Sequence, residues 1–170
     1  MVMSDPRDGL LIVVGVHGTA ASGAAVDWAA REARRRGGAV HLVLARDPAS
    51  LHQAPYARPA DPAAGQAPAR VLASAASRAA GLLPPGRVSS ELADGLPARV
   101  LLERAAGAAL LVLGADRPVG GPATALGPVT RACLRHSPCP VVIVAQDGGR
   151  DAAVPAPRVT EEPAANVTSY

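Results

Sequence analysis

Two glycine-bearing segments of this sequence have the residue types and spacing to hold a phosphate. The longer runs from Gly114 to Thr130 and reads GADRPVGGPATALGPVT. It follows the apolar run Ala108 to Leu113 and precedes a short helical segment, Val129 to His136. A glycine-rich loop between a buried strand and a helix lets backbone N–H groups face an anion, with the helix dipole in support. Arg117 and Pro128 depart from this pattern, because such a cradle favours a glycine and a hydroxyl at those places. The second segment, Gly18 to Gly23, has the spacing of a P-loop. It is followed by Ala24-Ala25 where lysine and a hydroxyl residue are needed.

Other chemistries are excluded by residue type. Lysine is absent, so all 17 Lys/Arg positions are arginine. No ammonium can reach β- or γ-phosphates, form a Schiff base or serve a phospho-acceptor receiver. Gly15-x-x-Gly18 is not a dinucleotide fingerprint, and no G-x-S-x-G elbow occurs. No nucleophile, general base and oxyanion donor stand together in the sequence, which argues against an enzyme. Cys133, His136 and Cys139 have C-x2-H-x2-C spacing but lack a fourth ligand nearby. They read as a small core residue, a helix-end histidine and a cysteine before a strand. Asn166-Val167-Thr168 matches a glycosylation sequon by chance.

Composition sets the wider bounds. A chain of 170 residues, 49% hydrophobic, has enough apolar surface for one core. With no Phe and one Trp, that core is built from Ala, Val, Leu and Ile. The formal charge of +3 is modest, and no aromatics interleave with the arginines, so a nucleic-acid partner is not expected. Arg34-Arg35-Arg36 suits the negative end of a helix. The opening residues MVMSDPRDG lack the shape of a signal peptide, and the apolar runs are too short for a bilayer span. The expectation is a cytoplasmic protein with reduced thiols and no membrane partner.

Hydrophobic patterning supplies the elements that position these residues. Leu10 to Val16 is a continuous apolar run, as in a strand buried on both faces. Ser22 can cap a helix reaching Arg36, with Asp27 and Arg31 as an i,i+4 pair and Trp28 at the edge of the core. Val40 to Ala45 is the second strand. A Pro/Ala-rich flexible insert over 46–68 follows, then a helix over Ala69 to Leu83. Arg87 to Leu92 alternates as an exposed edge strand would, and Pro97 opens a helix to Ala106. The Leu110 strand, the glycine loop, the Val129 helix and the strand Val141 to Ala145 complete a domain over 9–146. Residues 1–8 and 147–170 read as disordered.

This alternation predicts a doubly wound α/β fold, a five-stranded parallel sheet of order 3-2-1-4-5. The switch point lies between the first and fourth strands, and a ligand is expected outside their carboxyl ends. Gly15-Val16-His17-Gly18-Thr19 and the Gly114 loop converge there.

At these residues the chain resembles the universal stress protein family, over nearly all of 9–146. The family's first strand ends in G-V-D-G-S, matched by Gly15 to Thr19, and its first helix carries W-A-x-x-E-A, matched by Trp28 to Ala33. Its nucleotide loop reads G-x-x-G, nine residues, then G-S/T-V-S/T. Gly114, Gly127, Val129 and Thr130 fit that loop. Its closing R-x-x-P-C-P-V-x-V-V is close to Arg135 to Val144, and Gly95-Leu96-Pro97 resembles its G-x-P helix start.

The resemblance implies an adenine nucleotide hydrolase-like (Rossmann-like) fold and, in one branch, ATP at the switch point. Under it, Gly15, Val16, His17, Ala45, Gly114, Arg117, Gly127, Val129 and Thr130 are the candidate binding residues. His17 replaces an acid that serves the adenine ribose region, and Arg117 replaces the loop's second glycine. Pro128 replaces the phosphate-binding Ser/Thr, and Ala45 matches a backbone contact to adenine. These departures imply a degraded nucleotide site in a regulatory module that requires no cofactor and holds ATP or AMP weakly. One alternative is a functional nucleotide site in which Arg117 supplies the lost donors. Another is an interaction protein with no ligand. In all three, the edge strand Val141 to Ala145 is expected to form a homodimer.

Overall fold

The structure, a computed structural model, describes residues 10–47, 67–115 and 126–145. Five strands alternate with four helices: β1 (Leu11–Gly15), α1 (Ala20–Arg36), β2 (Ala39–Arg46), α2 (Pro68–Ala80), β3 (Val88–Asp94), α3 (Pro97–Ala105), β4 (Leu110–Ala115), α4 (Pro128–His136) and β5 (Val141–Ala145). All strands are parallel, and their order is β3-β2-β1-β4-β5, as the alternation predicts.

Successive side chains of a strand point to opposite faces, and both faces of this sheet are covered. Ile12 and Val14 of β1 pack with Ala25, Ala29 and Ala33 of α1 and with Leu72 of α2. Val13 points the other way, toward Leu101 of α3 and Cys133 of α4. Alanine on α1 lets that helix lie close to the sheet in a core that has no Phe. Trp28 is half-buried against the same cluster.

Several local expectations are corrected. The cap of α1 is Thr19, three residues ahead of Ser22, and its side-chain oxygen accepts from the Ser22 N–H at 3.3 Å. Ser22 is instead buried within the first turn. The helix ends at Gly37, whose φ of 67° is left-handed and suits glycine. Asp27 forms its ion pair with Arg78 of α2, both guanidinium contacts included, and not with Arg31. The two end residues of the insert expected over 46–68 belong to regular elements instead. Arg46 is the last residue of β2 and pairs with Asp94 of β3, and Pro68 opens α2. Residues 48–66, 1–8 and 147–170 lie outside the described residues.

Among the described residues, no helix is long and apolar enough to cross a membrane. No group of three or more His, Cys, Asp or Glu among them could hold a metal. Cys133 is buried, which pushes its thiol pKa up, and both cysteines are free.

Candidate functional site

At the carboxyl ends of β1 and β4, α1 packs on one face of the sheet and α4 on the other. A crevice of about 560 Å³ opens there. It is lined by Gly15, the last residue of β1, by Val16 and His17 after it, by Ala45 of β2, and by Gly114 near the end of β4. Gly127, Val129 and Thr130 line it from the start of α4. Eight of the nine candidate residues thus surround one cavity, and the ninth, Arg117, lies outside the described residues.

The walls are mostly aliphatic. Val43, Leu101 and Leu113 line the cavity, and their role was not anticipated from the sequence because they also read as core. Among the described lining residues His17 alone is ionisable, and it is exposed. Its backbone N–H donates to Ser22 Oγ at 3.0 Å. Thr19 and Ser22 therefore tie the end of β1 to the first turn of α1, and both line the crevice. Their hydroxyls fall within the P-loop-like spacing, the one signal that could have drawn attention to them.

The two framing glycines have different physical reasons. A Cβ on Gly114 would lie 2.4 Å from the carbonyl carbon and oxygen of Ala21 and 2.6 Å from the Ser22 nitrogen. No side chain fits there, so Gly114 lets β4 pass against the backbone of α1. A Cβ on Gly127 would meet nothing within 4 Å. Gly127 is the N-cap of α4, with an extended backbone (φ −63°, ψ 166°) that any residue can adopt.

The first turn of α4 faces the cavity with few donors. Pro128 occupies its first position and has no N–H. The Arg131 N–H is bonded to the Gly127 carbonyl at 3.0 Å. That leaves the N–H groups of Val129 and Thr130, and no side chain caps the helix. Thr130 is buried and lines the cavity.

A family model described as the Universal stress protein family matches residues 11–145. Universal stress protein Rv3134c of Mycobacterium tuberculosis is 32% identical over 148 residues, covering 84% of this chain and 51% of the relative. The chain thus spans about half the length of the curated relatives it matches. Among solved structures, a universal stress protein in complex with cAMP superposes with a TM-score of 0.60 at 23% identity, covering 81% of this chain and 98% of the other. A family member from Arabidopsis thaliana with AMP bound gives a TM-score of 0.56 at 17% identity, covering 82% and 93%.

Proposed function

The chain belongs to the universal stress protein family, and on that premise we propose that its crevice is an adenine-nucleotide site weakened on the phosphate side, in a regulatory module without turnover. Pro128 carries this reading. It stands at the mouth of the cavity, at the helix start where a phosphate would seek donors. Against a serine or threonine it lacks both a hydroxyl and an N–H. A hydrogen bond to a charged group is worth about 1.5–3 kcal/mol. Losing two weakens phosphate binding on the order of a hundred-fold or more. Proline is comfortable at the first position of a helix, so the fold does not suffer.

The aliphatic walls suit a base and ribose better than a triphosphate. Structural neighbours solved with cAMP and with AMP support an adenine nucleotide as the ligand class. His17, in place of an acid, presents a ring that can stack on a base or donate to it. Gly114, held by packing, is compatible with a site that no longer serves phosphate.

Calorimetric titration with Mg-ATP, AMP and adenosine tests the proposal. AMP and adenosine are expected to bind at least as well as Mg-ATP, all more weakly than micromolar. Pro128→Ser, which restores both the N–H and the hydroxyl, is expected to raise Mg-ATP affinity on the order of a hundred-fold. Micromolar or tighter binding of Mg-ATP by the natural chain overturns the weakened-site reading. If Arg117→Ala then abolishes that binding, the arginine supplies the donors that Pro128 lacks.

The assembly belongs to the same proposal. β5 is at the edge of the sheet and pairs only with β4 among the described residues, with Val141 to Val144 half-buried. We propose that a second copy of the chain covers it.

A further inference from the structure

A second constellation lies on the α3 face of the sheet, nearer the amino ends of the strands, and none of its residues lines the crevice. Register places His41 of β2 opposite Ser89 of β3, and Glu91 opposite Val43. His41 Nδ1 is 2.8 Å from Ser89 Oγ, and His41 Nε2 is 3.3 Å from Glu91 Oε2. Arg104 of α3 grips Glu91 from the other side, its Nε donating to Oε2 at 2.8 Å and its terminal nitrogen to Oε1 at 2.6 Å.

The protons can be assigned from the partners. Arg104 and His41 hold Glu91 well below its ordinary pKa, at about 2, so it is a carboxylate at neutral pH and can only accept. His41 Nε2 must then carry the proton that Glu91 accepts. A neutral imidazole has a single N–H, so Nδ1 presents its lone pair to Ser89. In that tautomer the Ser89 hydroxyl is the donor to Nδ1. The other acceptor in reach, the Val40 carbonyl, is farther away at 3.5 Å. A carboxylate thus orients an imidazole whose free nitrogen polarises a serine hydroxyl, the division of labour of an activated serine nucleophile. Ser89 is exposed, so a small molecule can reach it.

We propose that Ser89 is a nucleophile that accepts an acyl group from small activated esters, with His41 as its general base and Glu91 as the positioning residue. Ser89 Oγ bonds to the acyl carbon while its proton passes to His41 Nδ1. The bond from that carbon to the leaving oxygen breaks, and His41 returns the proton to the leaving group. The products are acyl-Ser89 and the free alcohol or phenol, with no oxidant or further reactant. β3 bonds to β2 through its odd-numbered residues, as Arg87 and Gly95 show, so the Ser90 N–H faces the edge that no other described strand covers. It is available to the oxyanion that forms during attack.

The neighbouring serine is an internal control. Ser90 is also exposed, one residue along the same strand, but it points to the other face and has no histidine partner among the described residues. The test is incubation of the full chain with p-nitrophenyl acetate, followed by peptide mapping of the acetyl group by mass spectrometry. The absence of lysine removes the commonest competing acceptors. Ser89 is expected to be acetylated roughly ten-fold or more faster than Ser90, and His41→Gln is expected to remove that preference. Glu91→Gln, which leaves the imidazole in place, is expected to lower the Ser89 rate without shifting acetylation elsewhere. Equal labelling of Ser89 and Ser90 in the natural chain, a measurement that needs no variant, overturns the proposal. So does a Ser89 rate unchanged in a folded His41→Gln protein.

Discussion

Gly114 and Gly127 carry the same letter in a nucleotide-loop pattern, yet different forces hold them. Alanine at 114 would drive a methyl group into the Ala21 carbonyl and the Ser22 nitrogen, backbone atoms that cannot turn aside. Gly114→Ala is expected to destabilise the chain by about 1–3 kcal/mol or more, as overpacking does. Gly127→Ala meets open space and is expected to cost about 1 kcal/mol or less, the loss of a favourable cap residue. Thermal unfolding of the two variants compares them, and equal shifts in midpoint would contradict this assignment. His17 and Thr130 illustrate what single residues disclose in advance. Their place beside the crevice was legible from the strand and helix ends they occupy. The burial of Thr130 was not, because it depends on how α4 lies against the sheet.

At the scale of elements, the apolar runs made the strands legible and their alternation with helices made the order legible, down to β3 as the exposed edge. Contacts between elements were not. Thr19 and Ser22 are both good caps by residue type, and only the path of the chain out of β1 selects Thr19. Asp27 has Arg31 one turn away in sequence, but the packing of α2 on α1 brings Arg78 to it. Ser89, His41 and Glu91 are 48 and 50 residues apart across the pair, and parallel register alone joins them. The same register makes Glu91 a tie between β3 and α3 through Arg104. The folded pKa of Glu91 is depressed from 4.5 to about 2. Its contribution is therefore fully present above pH 4.5 and lost as pH falls toward 2. With its side chain 31% exposed and partly screened, that contribution is about 1–2 kcal/mol. Urea denaturation of the natural chain and of Glu91→Gln is expected to show this gap near pH 6 and to lose roughly half of it or more near pH 3. A gap independent of pH would mean that packing, not charge, holds α3 to the edge strand.

For the whole molecule, the sheet has two edges of unlike character. β3 exposes the polar Ser89, Ser90 and Asp94 beside a single apolar residue, Leu92, a pattern that discourages strand addition. β5 is Val-Val-Ile-Val-Ala, with no charge to repel a partner. A homodimer joined at β5 is expected in solution scattering, and Val142→Lys or Ile143→Lys is expected to shift it toward monomer. A monomeric mass for the natural chain would rule that interface out. The close passage of β4 over the first turn of α1 has a consequence for descent as well as for folding. Selection for a folded protein alone retains a glycine at 114, whatever becomes of the ligand. Position 127 is free to drift once nothing is bound. Among proteins sharing this architecture, variation at the second glycine with the first one intact would therefore record lineages in which nucleotide binding has lapsed.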